Sequence, residues 1–401
     1  MGATMGGNSA GDEAAGIGAG RIASVDILRG LVIALMALDH VRDFFHAGAL
    51  QLDPLDVQQS PPAVFATRWV THFCAPVFVL LSGVSAYLQL ARGKGRAALS
   101  RFLLTRGLWL IVMELTLIGF AWSFSFDFLF LQVIWAIGWG MVALAALVWL
   151  PPAAVLAVGV AVVAGHNLLD PIEPKAFGAL EPLWAALHES GPILQDGKLR
   201  GFFAYPLLPW IGIMAVGYGL GPVFLREGPS RVRTLLALGA GVTALFLLLR
   251  LLDGYGDQND WEAQASAVRT LMDFLNTSKY PPSLQFACMT LGPTLMLLPL
   301  LERLKGRAAE PWATFGSVPF FVYVLHVFLA HGLAALWGLS QGFPVFGIGD
   351  IFRGEAHLEG WGVSLLATYG VWLLVLAMMY LPARWFAALK RRRREWWLSY
   401  L

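Results

Sequence analysis

Arg29 and His40 stand eleven residues apart in the first long apolar segment, VDILRGLVIALMALDHVRDFFH, which runs from Val25 to His46. On a helix, eleven steps of about 100° return to within roughly 20° of the start, so both side chains share one face, about 16 Å apart along the axis. An ionisable residue inside a membrane is costly and marks a site or a pathway when it faces a protein or water-filled interior. A histidine near neutral pH can take and return a proton, which is the chemistry that activates a hydroxyl or an amine. Asp39 and Asp43 flank His40, and Asp43, at i+3, is spaced to orient the ring or stabilise its cation. The competing reading is a core histidine hydrogen-bonded to another helix. Arg29 suits the phosphate or pyrophosphate of a cytosolic donor; equally, it could pair with Asp26 or snorkel to lipid headgroups. His46, near the far end of the helix, is a second candidate base.

A second polar face comes from FGSVPFFVYVLHVFLAH, residues 315–331, where Tyr323 and His326 are one turn apart. Their depth resembles that of His40, so the two helices are expected to present both histidines to one cavity, unless the segment is an aromatic packing face. Glu114 is a further intramembrane carboxylate, expected to meet an arginine from a neighbouring helix. Asp127, Arg250 and Gln285 lie near span ends and carry no assignment individually. Cys74 and Cys288 both fall in apolar spans and read as packing residues. His46 and His72 lack the spacing of metal ligands, and no metal is expected. Neither a GxxxxGK[ST] phosphate loop nor an HExxH helix occurs, which argues against ATP-driven pumping and zincin proteolysis.

The elements that must position these groups are membrane helices. The chain has 401 residues, is 57% hydrophobic and only 13% charged, and carries 16 tryptophans and 26 phenylalanines. Repeated long apolar runs fit an all-α polytopic membrane protein, not the short alternating strands of a barrel. A net charge of +2 gives no footprint for nucleic acid. About ten transmembrane helices are predicted, near 26–45, 70–91, 103–122, 129–150, 153–169, 202–225, 233–252, 283–301, 317–340 and 361–382. The fifth follows Pro151-Pro152 and is short enough to be re-entrant. With the N-terminus inside, alternation puts eighteen Lys and Arg residues in cytoplasmic segments and seven outside, so both termini are expected in the cytoplasm. Residues 1–20, Gly/Ala-rich, read as a disordered tail, 21–385 as the membrane domain and 386–401 as a basic cytoplasmic tail. The first apolar segment lacks the marks of a cleaved signal peptide. In the outer loop near 253–282, Trp261, Val268, Leu271, Met272 and Leu275 recur at helical spacing and predict a short helix lying on the membrane or over a cavity. No internal repeat suggests inverted transporter halves.

The Arg29-x10-His40 spacing resembles that in the first helix of acyltransferase-3-type membrane acyltransferases. Four stretches are more similar to another branch of such enzymes: SVDILRG (24–30), HFCAPVFVLLSG (72–83), LNTSKYPPSLQFACMTLGP (275–293) and FGSVPFFVYVLHVFLAH (315–331). These resemble bacterial members of the heparan-α-glucosaminide N-acetyltransferase catalytic-domain family. The resemblance implies transfer of an acyl group, usually acetyl, from acyl-CoA on the cytosolic side to a sugar or glycan acceptor on the far side. It carries over Arg29 and His40, with His46 as the alternative catalytic histidine, and maps family elements onto Ser82-Gly83 and Lys279-Tyr280. The residues leave open whether the histidine deprotonates the acceptor or is itself briefly acylated. The reading that follows is an acetyl-CoA-dependent acyltransferase of a bacterial inner membrane, multi-pass, with lipid, acyl-CoA and a glycan-type acceptor as its partners, and with a homodimer left open beside a monomer. A proton-coupled transporter or exporter, and a non-catalytic partner of a glycan-modifying complex, are the alternatives.

Overall fold

The computed structural model describes residues 22–48, 52–393 and 395–401; the predicted tail at 1–20 lies outside the described residues. The first helix, α1 (Ala23–Phe45), carries Asp26 in its first turn and Arg42 in its last, which complements the helix dipole. It ends where His46 turns extended and bridges to Val363. Eighteen of its 23 residues are buried, because the other helices surround it. A helix with two arginines and three aspartates cannot face lipid cheaply, and its central position removes that cost.

The second predicted span is two helices, α2 (Pro62–Thr71) and α3 (Cys74–Ala91), joined at His72 and Phe73. The third runs as α4 (Arg96–Met113), a π-helical turn at Glu114–Ile118, and α5 (Gly119–Ser123), which stops where Phe124 adopts φ 49°. The fourth differs from the expectation for 129–150. It opens with a strand, β1 (Leu129–Leu131), so its helix, α6 (Val133–Leu147), is only 15 residues long. Next, α7 (Pro152–Gly165) and a 3₁₀ turn, His166–Leu169, make an 18-residue apolar helix, long enough to cross. After α8 (Glu181–Leu187), a hairpin of β2 (Gly191–Gln195) and β3 (Lys198–Phe203) adds its second strand parallel to β1. Asp196 and Gly197, at φ 51° and 71°, supply the two left-handed residues of a tight hairpin turn. The sheet, ordered β1-β3-β2, is the only one among the described residues.

The remaining helices are α9 (Leu207–Phe224), α10 (Gly228–Leu252), α11 (Ala267–Leu275), α12 (Leu284–Leu301), α13 (Glu310–Ser317), α14 (Pro319–Ser340), α15 (Ile348–Phe352) and α16 (Leu365–Arg392). Among the described residues, eight helices are long and apolar enough to cross a membrane. The charged α1 and the short α6 are not among those eight, but they occupy the other two predicted positions. The chain is an all-α polytopic membrane protein with one small sheet. The helices α4, α7, α10 and α16 present mostly unburied apolar faces, as lipid contact requires, whereas α3, α9 and α12 are largely enclosed.

Two glycine contacts set the site. An added Cβ on Gly30 would lie 1.9 Å from the Trp312 carbonyl oxygen, and one on Gly316 would lie 1.8 Å from that of Asp26. Such distances require the α1 and α13 backbones to touch. Gly83 does the same for α3 against α9, where its Cβ would lie 2.0 Å from the Met214 oxygen. Small residues at helix crossings are how membrane helices approach this closely. These packing roles account for the glycines of three of the four family-like stretches.

The short helix predicted near 253–282 occurs as α11, capped by Ser266, with Met272 buried against Val57 and Phe65. Arg250, fully buried, holds it in place: its guanidinium donates to the carbonyls of Phe274, Asn259, Asp273 and Asn276 at 2.6–3.1 Å. Residues 386–392 are the last turns of α16, and beyond it Leu398 is buried while Tyr400 meets Thr105 at 2.7 Å.

Candidate active site

Arg29 projects from α1 into a cavity of 640 Å³ at the end of the molecule where the Arg- and Lys-rich loops gather. One guanidinium nitrogen donates to Asp26 Oδ1 and the Gly316 carbonyl, both at 3.1 Å, and another to Ser85 Oγ at 2.9 Å. The close α1–α13 crossing brings that carbonyl within reach. Six cationic residues line the cavity, Arg29, Arg92, Lys94, Arg106, Lys390 and Arg391, against one carboxylate, Asp26. Ser82 also lines it, with its hydroxyl donated back to Phe78 at 2.8 Å.

A narrow apolar extension of 70 Å³ shares Arg29, Ser82, Arg106, Met141 and Pro319 with the basic cavity and ends at Met36 and Tyr323. Met36 is one turn before His40, and Tyr323 one turn before His326. Both histidines lie immediately beyond: the Tyr323 ring is edge-on to His326 at 5.3 Å and to His40 at 6.4 Å, and Trp122 closes on His40 at 4.7 Å.

The two histidines are hydrogen-bonded to each other, His40 Nδ1 to His326 Nε2, at 2.7 Å, with their rings stacked. The second bond of His326 sets the direction of the first. Its Nδ1 lies 3.2 Å from the Val322 carbonyl, which can only accept, so that nitrogen carries the proton. In a neutral ring Nε2 then accepts, and His40 must donate from Nδ1. The proton-accepting lone pair of His40 is thereby at Nε2, which makes no hydrogen bond among the described residues. His40 retains 7% exposure and His326 none, so the free nitrogen is on the ring with residual access.

Asp43 does not orient His40. Its Oδ1 takes Arg42 at 2.5 Å, while His326 fixes the imidazole. Asp39 faces a separate polar cluster: Oδ2 accepts from Arg68 at 2.5 Å, and Oδ1 from Thr71 at 2.8 Å and Arg42 at 3.1 Å. Lys279 and Tyr280 complete that cluster, with the Lys279 ammonium 5.1 Å from the Tyr280 ring centre. Burial works against ionisation of Tyr280, yet the Lys279 and Arg68 cations outweigh it and draw the phenol below its ordinary range. Burial and the neighbouring Tyr280 push Tyr205 well above its own. His46 lies apart, about 9 Å further along the axis than His40, at the end of α1.

Glu114 meets no arginine among the described residues. It accepts the Gln132 backbone N–H at 2.6 Å, so it caps the start of α6 from across the π turn. That bond replaces the ion pair because the interrupted fourth span leaves amides at membrane depth that need an acceptor. Two further residues carry structure that their sequence positions did not reveal. His331 spans the Ala121 and Phe346 carbonyls at 2.7 and 2.9 Å, and Arg250 gathers the loop near 253–282.

Residues 21–249 match the family described as heparan-alpha-glucosaminide N-acetyltransferase, catalytic. The chain belongs to this family. No curated protein matches the chain. The heparan-alpha-glucosaminide N-acetyltransferase match contains Arg29, His40 and Ser82, together with most of the basic cavity. It stops before Lys279, Tyr280, Tyr323 and His326, so the histidine that sets the His40 tautomer comes from the C-terminal part of the chain. Membership makes this a multi-pass membrane protein of an acetyltransferase family, and the acetyl donor general to that family is acetyl-CoA.

Proposed function

We propose that the protein transfers an acetyl group from cytosolic acetyl-CoA to a hydroxyl or amine of a sugar or glycan acceptor on the far side of a bacterial inner membrane, with His40 as general base. The observation that carries this reading is the graded cavity. A strongly basic vestibule narrows to an apolar throat that ends at Met36 and at Tyr323, whose ring stands 6.4 Å from that of His40. Coenzyme A has matching parts: an anionic, phosphate-bearing nucleotide and an apolar arm ending in the thioester. Arg29, Arg92, Arg106 and Lys390 suit the phosphates, the throat suits the arm, and Tyr323 flanks the thioester end. The basic end is then cytoplasmic, as are both termini.

In this mechanism His40 Nε2 removes the acceptor proton as the acceptor attacks the thioester carbonyl. The C–S bond breaks, and the departing thiolate recovers the proton from the imidazolium, so the ring returns to its starting state. His326 positions His40 and takes no part in bond exchange. Holding donor and acceptor together lowers the entropic cost of a reaction between two compartments. Asp39, Arg68, Lys279 and Tyr280, a polar cluster beside His40 that does not line the throat, are assigned to orienting the acceptor. Direct transfer is favoured over an acetyl-histidine because one site can hold both reactants. His46 is assigned no bond-making role, since His326 reaches His40 alone.

The test is acetyl-CoA consumption by purified protein offered amino sugars and O-acetylatable glycans. Absence of both acetyl-CoA binding and turnover would refute the assignment. Arg29→Gln and Arg106→Gln should each raise KM for acetyl-CoA about tenfold with little change in kcat, since a charge-assisted hydrogen bond contributes about 1.5–3 kcal/mol and 1.4 kcal/mol is a factor of ten. Steady-state kinetics at low and high salt checks this, and an effect confined to kcat would contradict the phosphate role.

A further inference from the structure

We propose that His166, Asp170 and His188 bind one divalent transition-metal ion of the zinc class, in a site remote from the basic cavity and independent of the acetyl-transfer reading. His166 and Asp170 are one turn apart at the 3₁₀ end of α7, and His188 closes α8. One donor atom from each lies within 4.8 Å of the others, and His188 Nε2 is 3.1 Å from Asp170 Oδ1. Tetrahedral zinc with bonds of about 2.0–2.1 Å separates its ligand atoms by roughly 3.3–3.5 Å, so one edge is already near its final length. Two imidazoles and a carboxylate are a zinc donor set that leaves a fourth position for water.

Burial makes an ordinary histidine–aspartate pair an insufficient explanation. His166 and His188 are 2% and 0% exposed, yet among the described residues both nitrogens of His166 and Nδ1 of His188 lack hydrogen-bond partners. Each buried polar atom left unsatisfied costs about 1–3 kcal/mol. A metal uses the lone pair of one nitrogen on each ring, which removes part of that cost. Outer support is also present. Asn167 Nδ2 donates to Asp170 Oδ2 at 2.9 Å and its Oδ1 accepts the Leu284 N–H at 3.0 Å, which fixes the carboxylate against α12. The Pro282 carbonyl stands beside the His166 ring without hydrogen-bond geometry, placed to receive its N–H once ligation sets the tautomer. Asp170, at the partly open edge, provides the entry path. The ion would pin α8, and with it the β2–β3 hairpin, to the end of α7.

The experiment uses the full chain in detergent, purified with its affinity tag removed and stripped by chelator. Co²⁺ titration should give the visible ligand-field bands of a low-symmetry four-coordinate site at one equivalent per chain, abolished by one equivalent of Zn²⁺. Zn²⁺ should also raise the unfolding temperature. His166→Ala and His188→Ala should lose the bands and the stabilisation; His166→Gln and His188→Gln serve if the alanine variants fail to fold. Wild-type protein that takes up no stoichiometric Co²⁺, or bands that survive in both histidine variants, would overturn the proposal.

Discussion

Acetyl transfer by the His40→Ala variant should fall by about 10²–10⁴, the range expected when a positioned general base is removed. Acetyl-CoA binding should change little, because the vestibule that suits its phosphates begins about 16 Å away at Arg29. The companion variants separate base from positioner. His326→Ala removes the acceptor that holds His40 Nδ1–H, so the ring is free to turn and to exchange tautomers. The expected result is a smaller fall, about tenfold to a hundredfold, in kcat with KM for acetyl-CoA unchanged. His326→Gln offers a carbonyl oxygen to the same N–H and should recover part of the loss, which a purely structural role would not predict. His46→Ala should retain most of the wild-type rate. In all active forms kcat/KM should decline on the acid side, since the reactive ring must be unprotonated. Full activity in His40→Ala, or a loss in His46→Ala exceeding that in His40→Ala, would transfer the catalytic role elsewhere.

Helical spacing was enough to align Arg29 with His40, because eleven residues close three turns whatever surrounds them. The common depth of His40 and His326 was also legible, since depth in a membrane follows residue count from a span end. What spacing along one helix cannot reveal is which neighbour each side chain meets. Asp43 had the correct i+3 offset from His40, but Arg42, the intervening residue, captures it and leaves the ring to α14. Glu114 lacked any sequence sign that the next span would begin with a strand and leave an amide to be capped. The Asp196-Gly197 pair, by contrast, is a strong hairpin signal that a reading tuned to twenty-residue apolar runs passes over. Arg250 looked unremarkable because its partners are backbone carbonyls, which have no sequence signature. His166 and Asp170 stand at i, i+4, yet their third companion is eighteen residues further on, across a turn that only the fold closes.

The Asp39 cluster gives the second large effect, and its asymmetry is the informative part. Breaking a buried ion pair from one side costs about 3–5 kcal/mol, because the surviving charge stays desolvated. Here the two sides are unequal. Without Arg68, Asp39 still has Arg42 at 3.1 Å and Thr71 at 2.8 Å. Without Asp39, Arg42 turns to Asp43, already at 2.5 Å, while Arg68 loses the one carboxylate it directly contacts. Asp39→Ala should therefore approach the full cost, and Arg68→Met should remain near half of it or less. Unfolding in detergent, followed by tryptophan fluorescence, measures both. The double variant Asp39→Ala/Arg68→Met should be more stable than Asp39→Ala alone, since it removes the stranded guanidinium. If the two single variants are equally destabilised and the double is worse than either, the cluster is held by packing and the ion pair is incidental. The distinction bears on function: the network around Asp39 also sets the field beside His40, so Arg68→Met should alter kcat even where stability is largely retained.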